Sequence, residues 1–395
     1  MKLTHSSHLQ LVPIKIRKDK KHYIIENIDS GDFFEMPEVC IDAIKLINAN
    51  QSLGEIEQQL KEKYPGEEVD ILNFTEQLLD LNLIAAIDGE KIDLQKRKRE
   101  PLGFHWISPK LGKFFFNKFS FLVYWALFLI IATLLISHPS LFPHYKDLFI
   151  FHLMLLNIPA WMVISVFLVL FHEVGHVLAM RAHNLPTRLD VSHRLFLVVL
   201  ETDMSSVWKL PSKDRNVLYL AGLCFDTLTL SFALLSQLIF ANGPGIFLSI
   251  LQVIVLDTFI RMVYQCCIYM KTDLYFVFEN ITGCYNLMEN AQHLIQRWFP
   301  FKKWQETSEV IFASERKTVS TYAIFYFVGI GLTIYLYGFF YLPQMFYSVS
   351  KVLPGLENSP KSLTFWDSTL FIFQLALGFA LLLYSWRKKY LQARV

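Results

Sequence analysis

The stretch Phe171-His172-Glu173-Val174-Gly175-His176 carries two imidazoles four residues apart. On a helix that spacing leaves them about 40° from each other, so both rings can reach one metal ion from one face. Zinc suits such a pair. Glu173, the next residue round the helix, is placed to take a proton from a metal-bound water without itself being a ligand. The pattern has few fixed positions and also occurs on ordinary helices, so the setting matters. Residues 153–171 carry no charge, and an ionisable group beside such a run costs a few kcal/mol unless it pairs or works. His172, Glu173 and His176 together therefore point to a metal centre.

A catalytic zinc takes three protein ligands and leaves a fourth position for water. The acids at compatible depth are Asp226, Asp257 and Asp273. Asp257 ranks last, because Arg261 follows it at a helical spacing that lets the two neutralise each other. Asp273 stands in Met270-Lys271-Thr272-Asp273-Leu274-Tyr275, just past a later apolar run.

The composition surrounds these residues with hydrocarbon. Of 395 residues, 53% are hydrophobic, 35 are Phe and 18% are charged, with a mean hydropathy of +0.34. That departs from a soluble average. The excess is uneven: residues 1–108 are charged and interrupted, whereas the rest holds runs near the ~20 residues that cross a bilayer. Six spans are expected, at 119–137, 153–178, 216–240, 246–270, 320–341 and 366–386. The segments between them alternate in basic content. Segment 181–215 carries Arg181, Arg188, Arg194, Lys209, Lys213 and Arg215, and 271–319 carries Lys271, Arg297, Lys302, Lys303, Arg316 and Lys317. The C-terminal tail has Arg387, Lys388, Lys389 and Arg394, whereas 138–152 has only Lys146, and 342–365 has Lys351 and Lys361. The positive-inside rule then puts both termini in the cytosol, with His172 near the cytosolic end of the second span.

Other classes recede. The net charge of +2 says little about partners, and no clustered basic helix points to nucleic acid. The cysteines at 40, 224, 266, 267 and 284 show no framework spacing and suit a reduced or membrane-buried setting. Met1 to Pro13 lacks the apolar run of a signal peptide, so the head is expected to stay where it is made.

The N-terminal region reads as a small α+β domain. Leu11 to Ile16 and His22 to Glu26 alternate apolar and polar residues around Lys18-Asp19-Lys20-Lys21, which predicts a β-hairpin, and a third strand runs from Asp32 to Met36. Pro37 opens a helix to about Ile47, Ser52 and Glu55 form a capping box for a second to about Lys63, and a third runs from about Val69 to Leu81. Leu83 to Ile87 is a closing strand, giving a winged-helix-like arrangement. Lys91, Lys96, Arg97, Lys98 and Arg99 follow as a linker attracted to anionic lipid.

The order of these elements, with Asp32-Phe33-Phe34-Glu35-Met36-Pro37, Leu53-Gly54-Glu55-Ile56 and Leu78-Leu79-Asp80-Leu81-Asn82-Leu83-Ile84, resembles the PqqD-like domains over about residues 10–90. The resemblance implies recognition of the leader of a ribosomally made, modified peptide, the leader adding as a strand to the sheet's exposed edge. HEVGH with Asp273, Glu201-Thr202-Asp203 and Leu220-Ala221-Gly222 resembles the site-2-protease-like intramembrane metallopeptidases over about residues 155–290. That superfamily takes its third ligand from an Asp-Gly or Asp-Gly-Tyr motif on a later helix. Carried onto this chain, the resemblance implies His172, His176 and Asp273 as zinc ligands, with Asp273 ahead of Asp226, and Glu173 as base. Two positions depart from the pattern. Leu274 stands where the motif has glycine, so the tight turn must be made otherwise. Asp226 stands where relatives often have asparagine, and is either a protonated acid, an accessory acid near the metal, or a bond to a neighbouring helix.

The expected protein is a polytopic α-helical membrane protein of the bacterial cell membrane with an N-terminal winged-helix-like domain. Its parts are a leader-recognition domain at 1–90, a basic linker at 91–118, a metallopeptidase core at 119–290, and a loop with two further spans at 291–395. Together the resemblances imply a zinc endopeptidase that binds a precursor peptide by its leader and cuts it at the cytosolic side of the membrane. The alternatives are a non-catalytic peptide receptor or export partner, and a regulated protease acting on a membrane-bound factor. Segment 182–215, with the apolar run Leu195 to Leu200, is expected to form a strand or re-entrant hairpin beside the site, where it can pair with an extended substrate.

Overall fold

The structure is a computed structural model that describes residues 3–92, 103–194, 197–298 and 316–392. Lys96 to Arg99 of the basic linker, Leu195-Phe196 of the apolar run, Lys302, Lys303 and Arg394 lie outside the described residues. The chain divides into two compact units, Met1–Leu102 with Ser205–Asp214, and Gly103–Met204 with Arg215–Val395.

The first unit contains β1 (Leu9–Leu11), β2 (Ile14–Asp19), β3 (His22–Asn27), β4 (Phe33–Met36), α1 (Glu38–Asn48), α2 (Leu53–Lys63), α3 (Ile71–Asp80), β5 (Ile84–Ile87) and β6 (Glu90–Lys91). Strands β2 and β3 form the expected hairpin, with Lys20 taking the left-handed turn position at φ 52, and β4 adds to β3 with Phe34 opposite Ile25. The expected first strand, Leu11 to Ile16, is divided in the structure. Pro13 has no N–H for a ladder, and the chain changes partners there. Leu9–Leu11 pairs with β5, so the closing strand belongs to a second sheet of order β1-β5-β6. The capping box at the start of α2 is present, Glu55 Oε2 accepting from Ser52 N at 3.0 Å. Ile25, Ile44, Leu53, Ile56, Leu78 and Ile84 are fully buried in the core between sheets and helices. In the same unit, Arg17 on β2 donates to the carbonyls of Trp208, Lys209 and Leu210 at 2.5, 2.8 and 3.1 Å, gripping the end of a 3-10 turn at Ser205–Lys209.

The second unit is mostly helical: α4 (Pro109–Phe115), α5 (Lys118–Ser137), α6 (Met154–Ala182), the hairpin β7 (Leu189–Arg194) and β8 (Leu197–Thr202), α7 (Ser212–Tyr219), whose first residues belong to the other unit, α8 (Ala221–Ile239), α9 (Gly245–Gln265), α10 (Asp273–Thr282), α11 (Leu287–Trp298), α12 (Arg316–Leu336), α13 (Leu342–Leu356) and α14 (Leu363–Gln392). Among the described residues, six helical stretches are long and apolar enough to cross a membrane: Lys118–Ser137, Met154–Ala182, Ser212–Ile239, Gly245–Gln265, Arg316–Leu356 and Leu363–Tyr384.

Three boundaries differ from the expected ones. The fourth stretch stops at Gln265 rather than residue 270, because a 3-10 turn at Ile268–Met270 and Lys271 in the left-handed region turn the chain. The fifth continues past Tyr341 to Leu356; a π turn at Tyr337–Tyr341 precedes Pro343, whose missing N–H a regular α-helix could not accommodate. Arg181 belongs to the helix rather than the loop, where it donates to the carbonyls of Ile107 and Leu185, each at 3.1 Å, and to Asn184 Oδ1 at 3.2 Å.

Helix α6 carries HEVGH and leans on α14 at its start. Leu153 offers no side-chain cap, and the first N–H groups of a helix have no partner within it. Asp367 of α14 supplies the acceptors, its two carboxylate oxygens taking Met154 N and Leu155 N at 2.9 Å each. Pro159 inside α6 cannot donate to the Leu155 carbonyl. Gln374, also on α14, donates its Nε2 to that carbonyl at 3.1 Å.

Asp367→Ala leaves two helix-start N–H groups without their acceptor and should lower stability by about 2–4 kcal/mol. Gln374→Leu should cost about 1 kcal/mol. Thermal unfolding in detergent checks both, and an Asp367→Ala protein as stable as the parent would refute the capping role.

Candidate metal centre

Helices α6 and α8 approach closely through two glycines. A Cβ on Gly175 would lie 2.6 Å from the Ala221 carbonyl oxygen, and one on Gly222 would lie 2.3 Å from His172 Nε2 and 2.5 Å from His176 Nε2. Gly175 thus lets the backbones meet. Gly222 keeps open the space over both imidazoles.

The rings are fixed from behind. His176 Nδ1 lies 2.9 Å from the Leu218 carbonyl oxygen, which can only accept, so Nδ1 carries the proton and Nε2 keeps its lone pair. His172 Nδ1 donates in the same way to Asp226 Oδ2 at 2.8 Å. Both lone pairs then face Asp273. Its Oδ2 is 3.2 Å from His172 Nε2 and 3.3 Å from His176 Nε2, and the two Nε2 atoms are 3.3 Å apart. Three electron-pair donors this close repel unless a cation sits among them. Tetrahedral ligands at a zinc distance of about 2.0–2.1 Å are separated by about 3.3–3.4 Å, which is the spacing found. The three residues are buried and form the one candidate metal-holding group among the described residues.

Asp273 is placed by the turn that precedes it. Lys271, at φ 52, takes the strained backbone position before the aspartate, where the expected pattern relied on a glycine after it, so Leu274 is free to continue α10. Gln265, at the end of α9, holds the carboxylate from two sides: its Nε2 donates to Asp273 Oδ2 and its Oε1 accepts from Asp273 N, both at 3.0 Å.

Glu173 lies between the two histidines in sequence and is buried. Thr202, the last residue of β8, donates to Glu173 Oε2 through its N–H at 2.8 Å and its hydroxyl at 2.7 Å. The β7–β8 hairpin therefore ends on the candidate base. Asp226 is not in the donor group. It backs His172 and faces Arg261, whose Nη2 is 3.5 Å from Asp226 Oδ1 and 3.6 Å from Asp257 Oδ2. Asp226 and Asp257 thus share one guanidinium, whereas Asp273 faces the two imidazoles, a donor set that suits a divalent cation. Sequence reasoning passed over Thr202 as a partner of Glu173, Gln265 and the Leu218 carbonyl. Thr202 stands in the Glu201-Thr202-Asp203 stretch without any sign of its partner, and Gln265 and Leu218 have no motif signal, because each meets the site only through folding.

No protein-family model, no curated protein and no solved structure matches the chain.

Further along α10, Glu279 accepts from the Tyr275 hydroxyl and from Leu287 N at 3.3 Å, tying α10 to the start of α11. Burial pushes its carboxyl up to about 7 from 4.5, against the hydrogen bonds that favour its charge. The folded state thus favours the protonated acid. Its contribution to stability is full below about 4.5 and is lost as pH rises through about 7.

Gly222→Ala should abolish stoichiometric metal binding, because the added methyl occupies the space over the donors; elemental analysis of purified protein checks this. Glu279→Gln should be more stable than the parent at pH 8, by up to about 3 kcal/mol, and equal to it near pH 4. Parallel pH profiles for the two proteins in thermal unfolding would show that Glu279 has no such role.

Proposed function

We propose that the protein is an intramembrane zinc endopeptidase, similar to the site-2-protease-like metallopeptidases, that cleaves a leader-bearing, modified precursor peptide at the cytosolic side of the membrane. The observation that carries this reading is the convergence of His172 Nε2, His176 Nε2 and Asp273 Oδ2 at 3.2–3.3 Å, with Glu173 beside them in the sequence. These three side chains would hold the metal. A zinc ion there supplies Lewis acidity, lowering the pKa of a water and polarising the scissile carbonyl.

The chain's own groups do the rest. Glu173 takes the proton of the attacking water and hands it to the leaving amine. Thr202 keeps that carboxylate in one orientation through Oε2. Asp226 and the Leu218 carbonyl hold the imidazoles in the tautomer that ligates. A substrate backbone must be extended to expose its peptide bond, and a peptide added as a strand to the β8 edge of the two-stranded β7–β8 sheet would run past the base where β8 ends. A receptor that only binds peptide would need neither Glu173 nor the two Thr202 bonds that hold it.

The head is proposed to be a PqqD-like domain that captures the leader along β4, an edge of its sheet. Asn27 N bonds the Asp32 carbonyl at 2.9 Å, and the alternation of an antiparallel pair then turns the Phe33 N–H to the outer edge.

Glu173→Gln should retain about one metal per chain and lose cleavage by at least about 100-fold, because the amide cannot accept the proton. Full activity in that variant would sink the peptidase mechanism. Phe33→Pro, which removes an outward donor, should raise KM for a leader-bearing peptide several-fold and leave kcat within about two-fold. A fall in kcat with KM unchanged would argue that the head gates the site instead of delivering substrate.

A further inference from the structure

Arg261 stands inside α9, one turn after Asp257. The spacing alone suggests a pair that neutralises itself, but the structure puts the guanidinium between two carboxylates from different helices: Asp226 on α8, 3.5 Å away, and Asp257, 3.6 Å away. Asp257 already accepts from Trp161 Nε1 at 3.2 Å. The Arg261 nitrogens are buried and make no hydrogen bond among the described residues. A buried ion pair without hydrogen bonds contributes little to stability and often costs it, and an arginine among apolar spans is costlier still. Stability therefore does not account for Arg261.

Its second neighbour does. Asp226 is 1% exposed and uses its two oxygens in opposite directions, Oδ1 toward Arg261 and Oδ2 toward His172 Nδ1 at 2.8 Å. We infer that Arg261 is a positioning residue of the metal centre: by drawing Asp226 Oδ1 toward α9 it keeps Oδ2 aimed at His172, which fixes the imidazole so that Nε2 faces Asp273. The inference rests on His172 being a metal ligand. It assigns Arg261 to the site through Asp226, in a line of contacts that runs from α9 through α8 to α6, and leaves Asp257 as a neighbour of the guanidinium outside that line. Partners that orient a ligating histidine typically set metal affinity by 10–100-fold.

The test measures zinc affinity by competition with a chelator, on the full chain purified in detergent. Arg261→Leu should weaken zinc binding about 10-fold or more, and Arg261→Lys should recover part of the loss, since a lysine restores charge without the planar fork. Asp257→Asn should bind zinc like the parent. The double variant Arg261→Leu with Asp257→Asn should stay as weak as Arg261→Leu. In an Asp226→Asn background, which also removes one of the buried carboxylates, Arg261→Leu should add no further loss; that comparison holds even if Arg261→Leu alone does not fold. Parent-like affinity in Arg261→Leu, or restored affinity in the double variant, would overturn the inference, because Arg261 would then only neutralise Asp257. Zinc retained at full stoichiometry after His172→Ala or His176→Ala would instead refute the metal centre itself, whatever Arg261 does.

Discussion

An imidazole or a carboxylate among apolar helices must commit its donors and acceptors to protein, because hydrocarbon offers none. That constraint organises the second unit. His172 reaches α8 for Asp226, His176 reaches the Leu218 carbonyl at the end of α7, Asp273 reaches Gln265 of α9, and Glu173 reaches Thr202 of β8. Each bond crosses between elements, so the contacts that satisfy the site also hold the bundle together around it. The geometry of the candidate centre and the packing of the helices are here the same set of bonds.

The close approach of α6 and α8 is the steric side of that arrangement. Gly175 and Gly222 lie where any side chain would strike backbone or imidazole. With the helices this near, Asp226 can meet His172 directly, and the rings are held from behind while their Nε2 atoms remain open toward Asp273.

Much of this was legible from residue types. The spacing of His172 and His176 already places both rings on one helical face, and the alternation around Lys18 to Lys21 gives the hairpin of the head. Asp273 was legible as one of three acids at similar depth, and resemblance ranked it first. What the sequence could not reveal depends on distance along the chain. Thr202 is 29 residues from Glu173 and Asp226 is 54 from His172, and no local periodicity links such pairs. Arg261 was misleading for the opposite reason: its local partner, Asp257, hid its distant one. The division of the first strand at Pro13 was foreseeable from the missing N–H, whereas the continuation of the fifth apolar stretch to Leu356 depends on a π turn that hydropathy does not register.

Asp367 and Gln374 carry a consequence for how the protein is made. They stand on α14, Asp367 lying 213 residues beyond Met154, yet they complete the backbone of α6, the helix that bears the histidines of the candidate centre. Until α14 docks, α6 begins with bare N–H groups and a carbonyl orphaned by Pro159. The nascent chain therefore carries an unfinished α6 until α14 has been made and docked. Docking of α14 thus acts as a built-in delay in completing the helix on which the candidate centre stands.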